Sequence, residues 1–342
     1  MNTIVEKLTA RALDEAAFHF APQVLLFTAL KLGVFSAVAE GEKSVQHIGA
    51  ATGCSLRGMR MMLDCLTAMG LLKKKGGTYD LNSLSRRFFL PSSEDYVGEL
   101  FRRLDLFLNL WLTLPEAVKT GRPTISCLQE EERARLNLSI VDALFQCHKG
   151  YAWKLSERLE ESDFFPTGAY GGMKILDIGA GSAVWSIPFT LKYKDVEVTA
   201  VDFDAVLDVA KRYTRRFGVE RCYRFIGANI REIEFGSDQF DLVLLGHVCH
   251  SEGEQWTRKL LFKCFRALRK GGRLLIMDYI SDEKRKSAFL PLLLALNALL
   301  GTEEGDTFTF SQYEHWLLDV GFRDVRTMEI RGHSPVVAGR KS

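Results

Sequence analysis

The sequence predicts an α/β protein in which a doubly wound, mostly parallel sheet follows a smaller, mostly helical unit. In the second half of the chain, short apolar runs alternate with helical patterns, and a glycine turn follows the first run. The first hundred residues instead show helical periodicity and then two strand-like pieces. We expect a helical N-terminal domain over residues 1–100, a helical connection over residues 101–160 and a sheet domain over residues 161–342.

The composition indicates a globular protein without a strong charge bias. The 45 basic and 43 acidic side chains give a formal charge of +2, which favours neither nucleic acid nor an acidic membrane as a partner. The 7 cysteines show no zinc-like spacing, so no metal site is expected. We see no signal peptide, and the longest apolar run, residues 289–300, is too short to span a membrane. These features predict a cytoplasmic protein.

The N-terminal domain is predicted to be a winged helix, in which helices are followed by a two-stranded hairpin. Ser55 is a suitable N-cap for the third helix, and Gly70 is suited to end it. Gly76 and Gly77 form the turn of the hairpin. The predicted elements are helices over residues 22–32, 45–52 and 56–69 and strands over residues 71–73 and 78–81.

A winged helix can bind DNA or form a dimer. Five basic residues could contact phosphates, but the third helix exposes Met61 and Asp64 and offers no Asn or Gln for base edges. Dimerisation needs apolar surface outside the domain core, which seven phenylalanines could supply. We therefore favour a homodimer and expect no nucleic acid partner. The basic residues are Arg57, Arg60, Lys73, Lys74 and Lys75, and the phenylalanines are Phe18, Phe20, Phe27, Phe88, Phe89, Phe101 and Phe107.

The helical connection carries an aromatic stripe. Such a stripe is usually part of a core, but in an enzyme that acts on small molecules it can also line the substrate pocket. The sequence does not separate these two roles. The residues that we assign to an apolar substrate pocket are Phe107, Trp111, Phe145, Phe289 and Leu293.

The glycine turn at residues 179–182 is the clearest ligand signal. Asp202 lies 23 positions after Gly179, a spacing that suits a carboxylate on ribose hydroxyls. Val184 replaces the third glycine of the dinucleotide motif, and Asp177 before the turn would repel a pyrophosphate. The site therefore suits a nucleoside with a cationic end, S-adenosylmethionine, although an ordinary strand-to-helix turn remains the simpler alternative.

Further polar residues follow the strands of the predicted sheet. Ligands of such sheets bind beyond the carboxyl ends of the strands. Those ends carry Asp177, Asp202, Asn229, residues 247–250 and Asp278. The predicted elements after the glycine turn are strands over residues 196–201, 223–226, 240–245, 273–277 and 325–330 and helices over residues 205–217, 255–270 and 311–320.

Together these stretches resemble the homodimeric small-molecule O-methyltransferases, a family that includes plant phenylpropanoid and bacterial polyketide and carotenoid enzymes. The resemblance implies a class I methyltransferase domain with a Rossmann-like sheet, joined to a winged-helix dimerisation domain. It also implies methyl transfer from S-adenosylmethionine to a hydroxyl of a small, aromatic or polyketide-like metabolite of secondary metabolism. The matching stretches are residues 30–35, 69–72, 175–181, 198–207, 267–276 and 320–322.

The resemblance also implies which residues bind the cofactor. Asn229 stands where the family usually has an acid near the adenine, but its amide oxygen can still accept a hydrogen bond. His148 lies near the position of a serine that meets the cofactor carboxylate, although a surface histidine is the simpler interpretation. The implied cofactor-binding residues are Asp177, Gly179, Gly181, Asp202, Phe203, Asn229, Ile230 and His148.

His250 is the candidate general base. Methyl transfer to oxygen is helped by a base with a pKa near neutral, and His250 matches the family's catalytic histidine. Asp278 matches the acid that orients the imidazole. A third acid is expected on a later loop, where the spacing does not choose among Glu303, Glu304 and Asp306. We take Asp306 as the candidate.

The surroundings of the base depart from the family pattern. The family commonly has His-Asp-Trp where this chain has His250, Ser251 and Glu252, and His247 could compete for the role of base. A purely structural role for His250 is a further alternative. Two other functions stay open: a C- or N-methyltransferase on the same scaffold, and a cofactor-binding DNA-binding regulator without catalysis.

Overall fold

The computed structural model describes residues 17–41, 43–102, 104–161, 171–330, 332 and 334–342. The chain divides into two compact units between Leu108 and Asn109. The first unit contains helices and a two-stranded hairpin, and the second contains a seven-stranded sheet with helices.

The first unit contains the three predicted helices and the predicted hairpin in order, with a further helix after the first and more helices after the hairpin. Ser55 caps the fourth helix by accepting a hydrogen bond from the Gly58 N–H at 3.2 Å, and Gly70 adopts a φ of +72° just after that helix. The elements are α1 (Ala21–Lys31), α2 (Val34–Glu40), α3 (Val45–Ala51), α4 (Leu56–Ala68), β1 (Leu72–Lys75), β2 (Thr78–Leu81), α5 (Ser83–Phe88), α6 (Gly98–Arg102) and α7 (Leu104–Trp111), whose residues 109–111 already belong to the second unit.

The phenylalanines of this unit divide between its core and its surface. Phe89 is buried and packs against Phe35 with ring centroids 5.1 Å apart, so the prediction that it supplies dimer surface is wrong. Phe18 and Phe20 are mostly exposed and remain candidates for that surface. Among the described residues no single helix could cross a membrane; α1 and α2 reach the required length and apolarity only as a pair, bent by 55°.

The second unit alternates strands and helices. Its strands are β3 (Lys174–Ile178), β4 (Glu197–Asp202), β5 (Tyr223–Gly227), β6 (Phe240–Gly246), β7 (Leu268–Met277), β8 (Phe322–Met328) and β9 (Val336–Lys341). Its helices are α8 (Leu114–Thr120), α9 (Glu130–Glu161), α10 (Ile187–Lys192), α11 (Asp204–Arg216), α12 (Cys249–Ala267), α13 (Phe289–Gly301) and α14 (Phe310–Val320), with short 3₁₀ turns at Ile125–Cys127 and Glu220–Cys222.

The strands lie in the order β5-β4-β3-β6-β7-β9-β8. The five strands β5, β4, β3, β6 and β7 are parallel, whereas β9 is antiparallel to both of its neighbours, β7 and β8. Strand β9 was not predicted. Helix α12 was predicted to reach residue 270, but it ends at Ala267, and Leu268 begins β7. The parallel part brings the carboxyl ends of β3, β4, β6 and β7 to one edge.

Both faces of this sheet are buried. On one face, Ile175 and Leu242 pack with α9 and α11 in one apolar cluster. On the other face, Leu176 and Val243 pack with α12 and α14 in a second cluster. Burial on both sides explains why these strands are apolar without alternation, as is usual for parallel sheets.

Phe145 belongs to the core of this unit. Its side chain is 1% exposed, and its ring stacks on Tyr213 with centroids 3.7 Å apart. The prediction that Phe145 lines a substrate pocket is therefore wrong, because its ring has no open surface for a ligand.

We expect Phe145→Ala to lower the free energy of unfolding of the second unit by about 3–5 kcal/mol, since it leaves a cavity in a packed core. The matched change Phe262→Ala, at a side chain that is 53% exposed on α12, should cost less than about 1 kcal/mol. Denaturant unfolding followed by tryptophan fluorescence measures both. Equal losses in the two variants would contradict this placement of Phe145.

Candidate active site

A cavity of about 190 Å³ opens at the carboxyl ends of β3, β4 and β6. Helix α9 closes one side of it, and the glycine turn and the segment after β6 form the others. A larger depression, of about 670 Å³, lies at the opposite, amino edge of the sheet among residues of both charges and away from the predicted site. The first cavity is lined by Val141, Leu144, His148, Gly179, Ala180, Gly181, Ser182, Val184, Trp185, Asp202, Gly246, His247 and Val248.

The glycine turn forms a close backbone wall of this cavity. Gly179 adopts a φ of +63°, and a Cβ atom at this position would lie 2.5 Å from Cγ2 of Val248. Gly181 also has a positive φ, +56°. The N–H of Gly179 donates to the Val201 carbonyl at 2.9 Å, which ties the turn to the end of β4. Side chains at the two glycines would strain the turn, so only the backbone lines this part of the cavity.

Asp202 faces the cavity with a fixed carboxylate. One oxygen accepts the Gly181 N–H at 2.9 Å, and the other accepts the Phe203 N–H at 2.8 Å. Burial raises the pKa of Asp202, and the two backbone hydrogen bonds oppose that rise. Each oxygen retains a lone pair, so this carboxylate can accept hydrogen bonds from the two hydroxyls of a ribose. The side chain of Phe203 itself is exposed and does not line the cavity.

Asp177 has a different place from the one predicted. Its carboxyl is buried and accepts a hydrogen bond from the Ser186 hydroxyl at 2.5 Å, and the Tyr223 hydroxyl donates to Ser186 at 3.1 Å. Burial raises the pKa of Asp177 to about 7; the Ser186 hydrogen bond acts against this, and the charge of Asp202 adds to it. The carboxyl has no surface toward the cavity. The prediction that Asp177 contacts the cofactor is therefore wrong, and the residue instead anchors the start of α10.

Of three further predicted cofactor residues, one lines the cavity and two do not. His148 on α9 lines the cavity and is only 5% exposed, so the surface alternative for it is wrong. Asn229 accepts a hydrogen bond from the Arg231 N–H and donates to Glu232, both at 3.0 Å. Ile230 packs against the core beside α12. Neither Asn229 nor Ile230 lines the described cavity, so their role near an adenine remains a prediction.

The candidate base and its acid are in direct contact. The Nδ1 atom of His250 lies 2.8 Å from Oδ1 of Asp278, and the backbone N–H of His250 donates to Oδ2 at 3.0 Å. The N–H of Tyr279 donates to Oδ1 as well, at 2.8 Å. Strand β7 and the start of α12 therefore hold the imidazole through one carboxylate.

The protonation of this pair follows from its surroundings. Burial acts to raise the pKa of Asp278, but the charge and hydrogen bond of His250 lower it to about 2. Burial acts to lower the pKa of His250, but the charge and hydrogen bond of Asp278 raise it overall. An ionised carboxylate can only accept, so Nδ1 of His250 carries the hydrogen and Nε2 is the nitrogen that can take up a proton.

His247 lies between this pair and the cavity wall. Its Nδ1 is 3.9 Å from Oδ1 of Asp278, too far for a hydrogen bond, and its ring lies 4.3 Å from that of His148. The backbone of His247 has a φ of +59°, an uncommon conformation for this residue type. Asp278 thus orients His250 rather than His247. The possible ligand atoms of these two histidines and Asp278 lie within 4.8 Å of one another, a spacing that a divalent cation could also use.

The third predicted acid pairs with an arginine. Both carboxylate oxygens of Asp306 lie 3.3 Å from the guanidinium of Arg285. Only the backbone of Asp306 contacts His250, donating its N–H to the His250 carbonyl at 2.9 Å. A catalytic role for the Asp306 carboxylate therefore stays a prediction. Glu303 and Glu304 are exposed, and the Glu304 backbone approaches Gly253, where a Cβ atom would lie 2.4 Å from the Glu304 carbonyl oxygen.

The predicted pocket aromatics do not line the described cavity. Trp111 packs with the buried Leu300 on α13, and Phe289 is 65% exposed. Leu293 is half-buried on α13, and Phe107 is half-buried in the first unit. Their assignment to a substrate pocket therefore stays a prediction.

The sequence analysis missed two aromatic residues of the site. Trp185 lines the cavity, and a Cβ atom at Gly246 would lie 2.3 Å from its Cδ1, so glycine is needed there. Tyr279 directly follows Asp278, and its ring lies 4.8 Å from that of His247. Position beyond the end of β7 was the available signal for Tyr279, whereas nothing in the local pattern points to Trp185.

Comparisons with known proteins are consistent with this site. Residues 152–323 match the model of the O-methyltransferase domain, and residues 15–91 match that of the O-methyltransferase dimerisation domain. The chain is 27% identical to the tetracenomycin polyketide synthesis 8-O-methyl transferase of Streptomyces glaucescens, with 92% of each chain covered. It is also 27% identical to the 3-hydroxy-5-methyl-1-naphthoate 3-O-methyltransferase of Streptomyces sahachiroi, with 93% of this chain and 91% of the relative covered. The solved structure of human N-acetylserotonin methyltransferase in complex with SAM shares the fold, with a TM-score of 0.82, 24% identity and 100% of each chain covered.

The residues present fit S-adenosylmethionine. Backbone alone forms the wall at Gly179 and Gly181, and the Asp202 carboxylate faces the cavity that they border. The chain belongs to the O-methyltransferase family, and it is an S-adenosylmethionine-dependent O-methyltransferase with a class I sheet domain and an N-terminal dimerisation domain.

Proposed function

We propose that the chain methylates a hydroxyl of a small aromatic metabolite and that His250 is the general base. When bound, S-adenosylmethionine would supply an electrophilic methyl group, and S-adenosylhomocysteine would leave with the electron pair of the methyl–sulfur bond. The observation that carries the proposal is the 2.8 Å contact between His250 Nδ1 and Asp278 Oδ1 near the cofactor cavity. This contact leaves Nε2 of His250 as the proton acceptor.

The proton of the acceptor has a defined path. The hydroxyl proton passes to Nε2 of His250 as the oxygen attacks, while the Nδ1 hydrogen stays with Asp278. The buried, ionised carboxylate of Asp278 then stabilises the imidazolium that forms. General bases of this kind contribute about 10²–10⁴-fold to rate, and holding the reactants together contributes the larger part.

The surroundings of His250 support an aromatic acceptor. The rings of Tyr279 and His247 stand near His250, and Trp185 lines the adjoining cavity. Planar side chains of this kind suit a planar, largely apolar ligand. The two bacterial relatives are named for a polyketide and a naphthoate. We therefore infer an aromatic or polyketide-like substrate for this chain.

The first unit supports dimerisation better than DNA binding. Lys74 and Arg60 lie 2.6 and 3.3 Å from the carboxylate of Asp64. Lys43 and Arg86 each lie 2.6 Å from that of Asp80. Asp64 thus neutralises two of the five basic residues considered for phosphate contact, Arg60 and Lys74. With the dimerisation-domain match, this favours a homodimer through the first unit and no nucleic acid partner.

We expect His250→Asn to lower kcat/KM for O-methylation about 10²–10⁴-fold at neutral pH, because the acceptor loses its base. The matched control is His315→Asn, at an exposed histidine on α14, which should leave the rate unchanged. The assay uses labelled S-adenosylmethionine with phenols, amines and activated carbons, with and without a chelator. Undiminished O-methylation by His250→Asn would contradict the role of His250 as the base. Loss of wild-type activity in the presence of chelator would indicate a metal-dependent reaction instead.

We expect the rate to fall as the pH drops through the pKa of His250, because only the neutral imidazole accepts a proton. Asp278 raises that pKa, so Asp278→Asn should move the acid limb of the kcat/KM profile to lower pH while reducing the plateau. The measurement is kcat/KM against pH for both proteins. An acid limb that stays in place, or moves to higher pH, would be inconsistent with this pairing.

A further inference from the structure

Tyr279 is held rigidly beside the proposed base. Its backbone N–H donates to Oδ1 of Asp278, the same oxygen that accepts from His250. Its ring lies 6.0 Å from the His250 ring at an angle of 69° and 4.8 Å from the ring of His247. Tyr279 therefore lies among the groups that surround His250.

The hydroxyl of Tyr279 makes no hydrogen bond within the described residues, although the side chain is half-buried. A tyrosine hydroxyl that a bound ligand covers usually finds a hydrogen-bond partner. Burial raises the pKa of Tyr279 to about 12, and the nearby Asp278 and Cys147 add to the rise. The group is thus a neutral O–H donor at the pH of catalysis and lacks an acceptor.

On the basis of the proposed function, we infer that the Tyr279 hydroxyl donates a hydrogen bond to a second oxygen of the acceptor, on the ring position next to the hydroxyl that is methylated. The substrate class is then an aromatic compound with two neighbouring oxygen substituents. Tyr279 would determine specificity within this class, while His250 acts on the reacting oxygen.

The oxygen that is methylated is a poorer hydrogen-bond acceptor for Tyr279 than the second oxygen of the substrate. The reacting oxygen must use one lone pair to attack the methyl group, and a hydrogen bond donated to it would lower its nucleophilicity. A neighbouring oxygen accepts the same hydrogen bond without this cost. The imidazole of His250 and the hydroxyl of Tyr279, two residues whose backbone N–H groups both donate to Asp278, can thus serve two adjacent oxygens at once.

The experiment compares two ligands that differ in this oxygen alone: 3-methoxy-2-naphthol and 3-ethyl-2-naphthol. Each has one hydroxyl, and the side groups are similar in size. Dissociation constants are measured by calorimetry with S-adenosylhomocysteine present, for wild type, Tyr279→Phe and the control Tyr96→Phe in the first unit. We expect wild type and control to bind the methoxy ligand about 5–10-fold more tightly, and Tyr279→Phe to lose that preference.

The ratio of the two dissociation constants separates this role from a structural one, because general damage to the site would weaken both ligands equally. An unchanged preference in Tyr279→Phe, an absent preference in wild type, or binding of neither ligand to wild type would overturn the inference. Turnover is measured separately. If wild type prefers the methoxy ligand but transfers no methyl group, the proposed function is contradicted. The inferred hydrogen bond from Tyr279 would still be supported.

Discussion

The carboxylate of Asp278 accepts three hydrogen bonds in a place from which water is almost fully excluded. Burying an unpaired carboxylate would cost several kcal/mol, so these partners are a condition for its charge. Its oxygens fix the imidazole and the backbone N–H of His250 and the backbone N–H of Tyr279. The orientation of the base, its proton affinity and the position of Tyr279 all depend on this one group.

A second constraint comes from glycine positions around the cavity. A Cβ atom at Gly179, Gly246 or Gly253 would clash with a neighbouring residue. The neighbours are Val248, Trp185 and the Glu304 backbone, respectively. These contacts bring the turn after β3, the end of β6 and the loop after α13 together. Gly253 also interrupts α12 with a φ of 74°, so the His250 turn and the rest of the helix differ in direction. The cofactor cavity and the base are therefore fixed by close backbone packing.

Sequence patterns predicted the parts of this site that depend on topology. The alternation of apolar runs placed Asp202, His250 and Asp278 at strand ends, and the parallel sheet brings those ends to one edge. The prediction for Asp177 was wrong, and the pairing of Asp306 was not predicted, because both depend on which neighbour a carboxylate contacts. Those neighbours, Ser186 and Arg285, lie on loops whose path the sequence pattern does not fix. Strand β9 was missed because its short run, with a glycine and basic residues, gives a weak strand pattern.

We infer that Asp278 sets the proton affinity of His250. Nuclear magnetic resonance of histidine-labelled protein tests it by following the imidazole signals with pH and assigning His250 from the signal that His250→Asn removes. We predict that His250 titrates above the ordinary histidine pKa in the wild type and that its pKa falls in Asp278→Asn. A His250 pKa at or below the ordinary value, unchanged in Asp278→Asn, would contradict the claim.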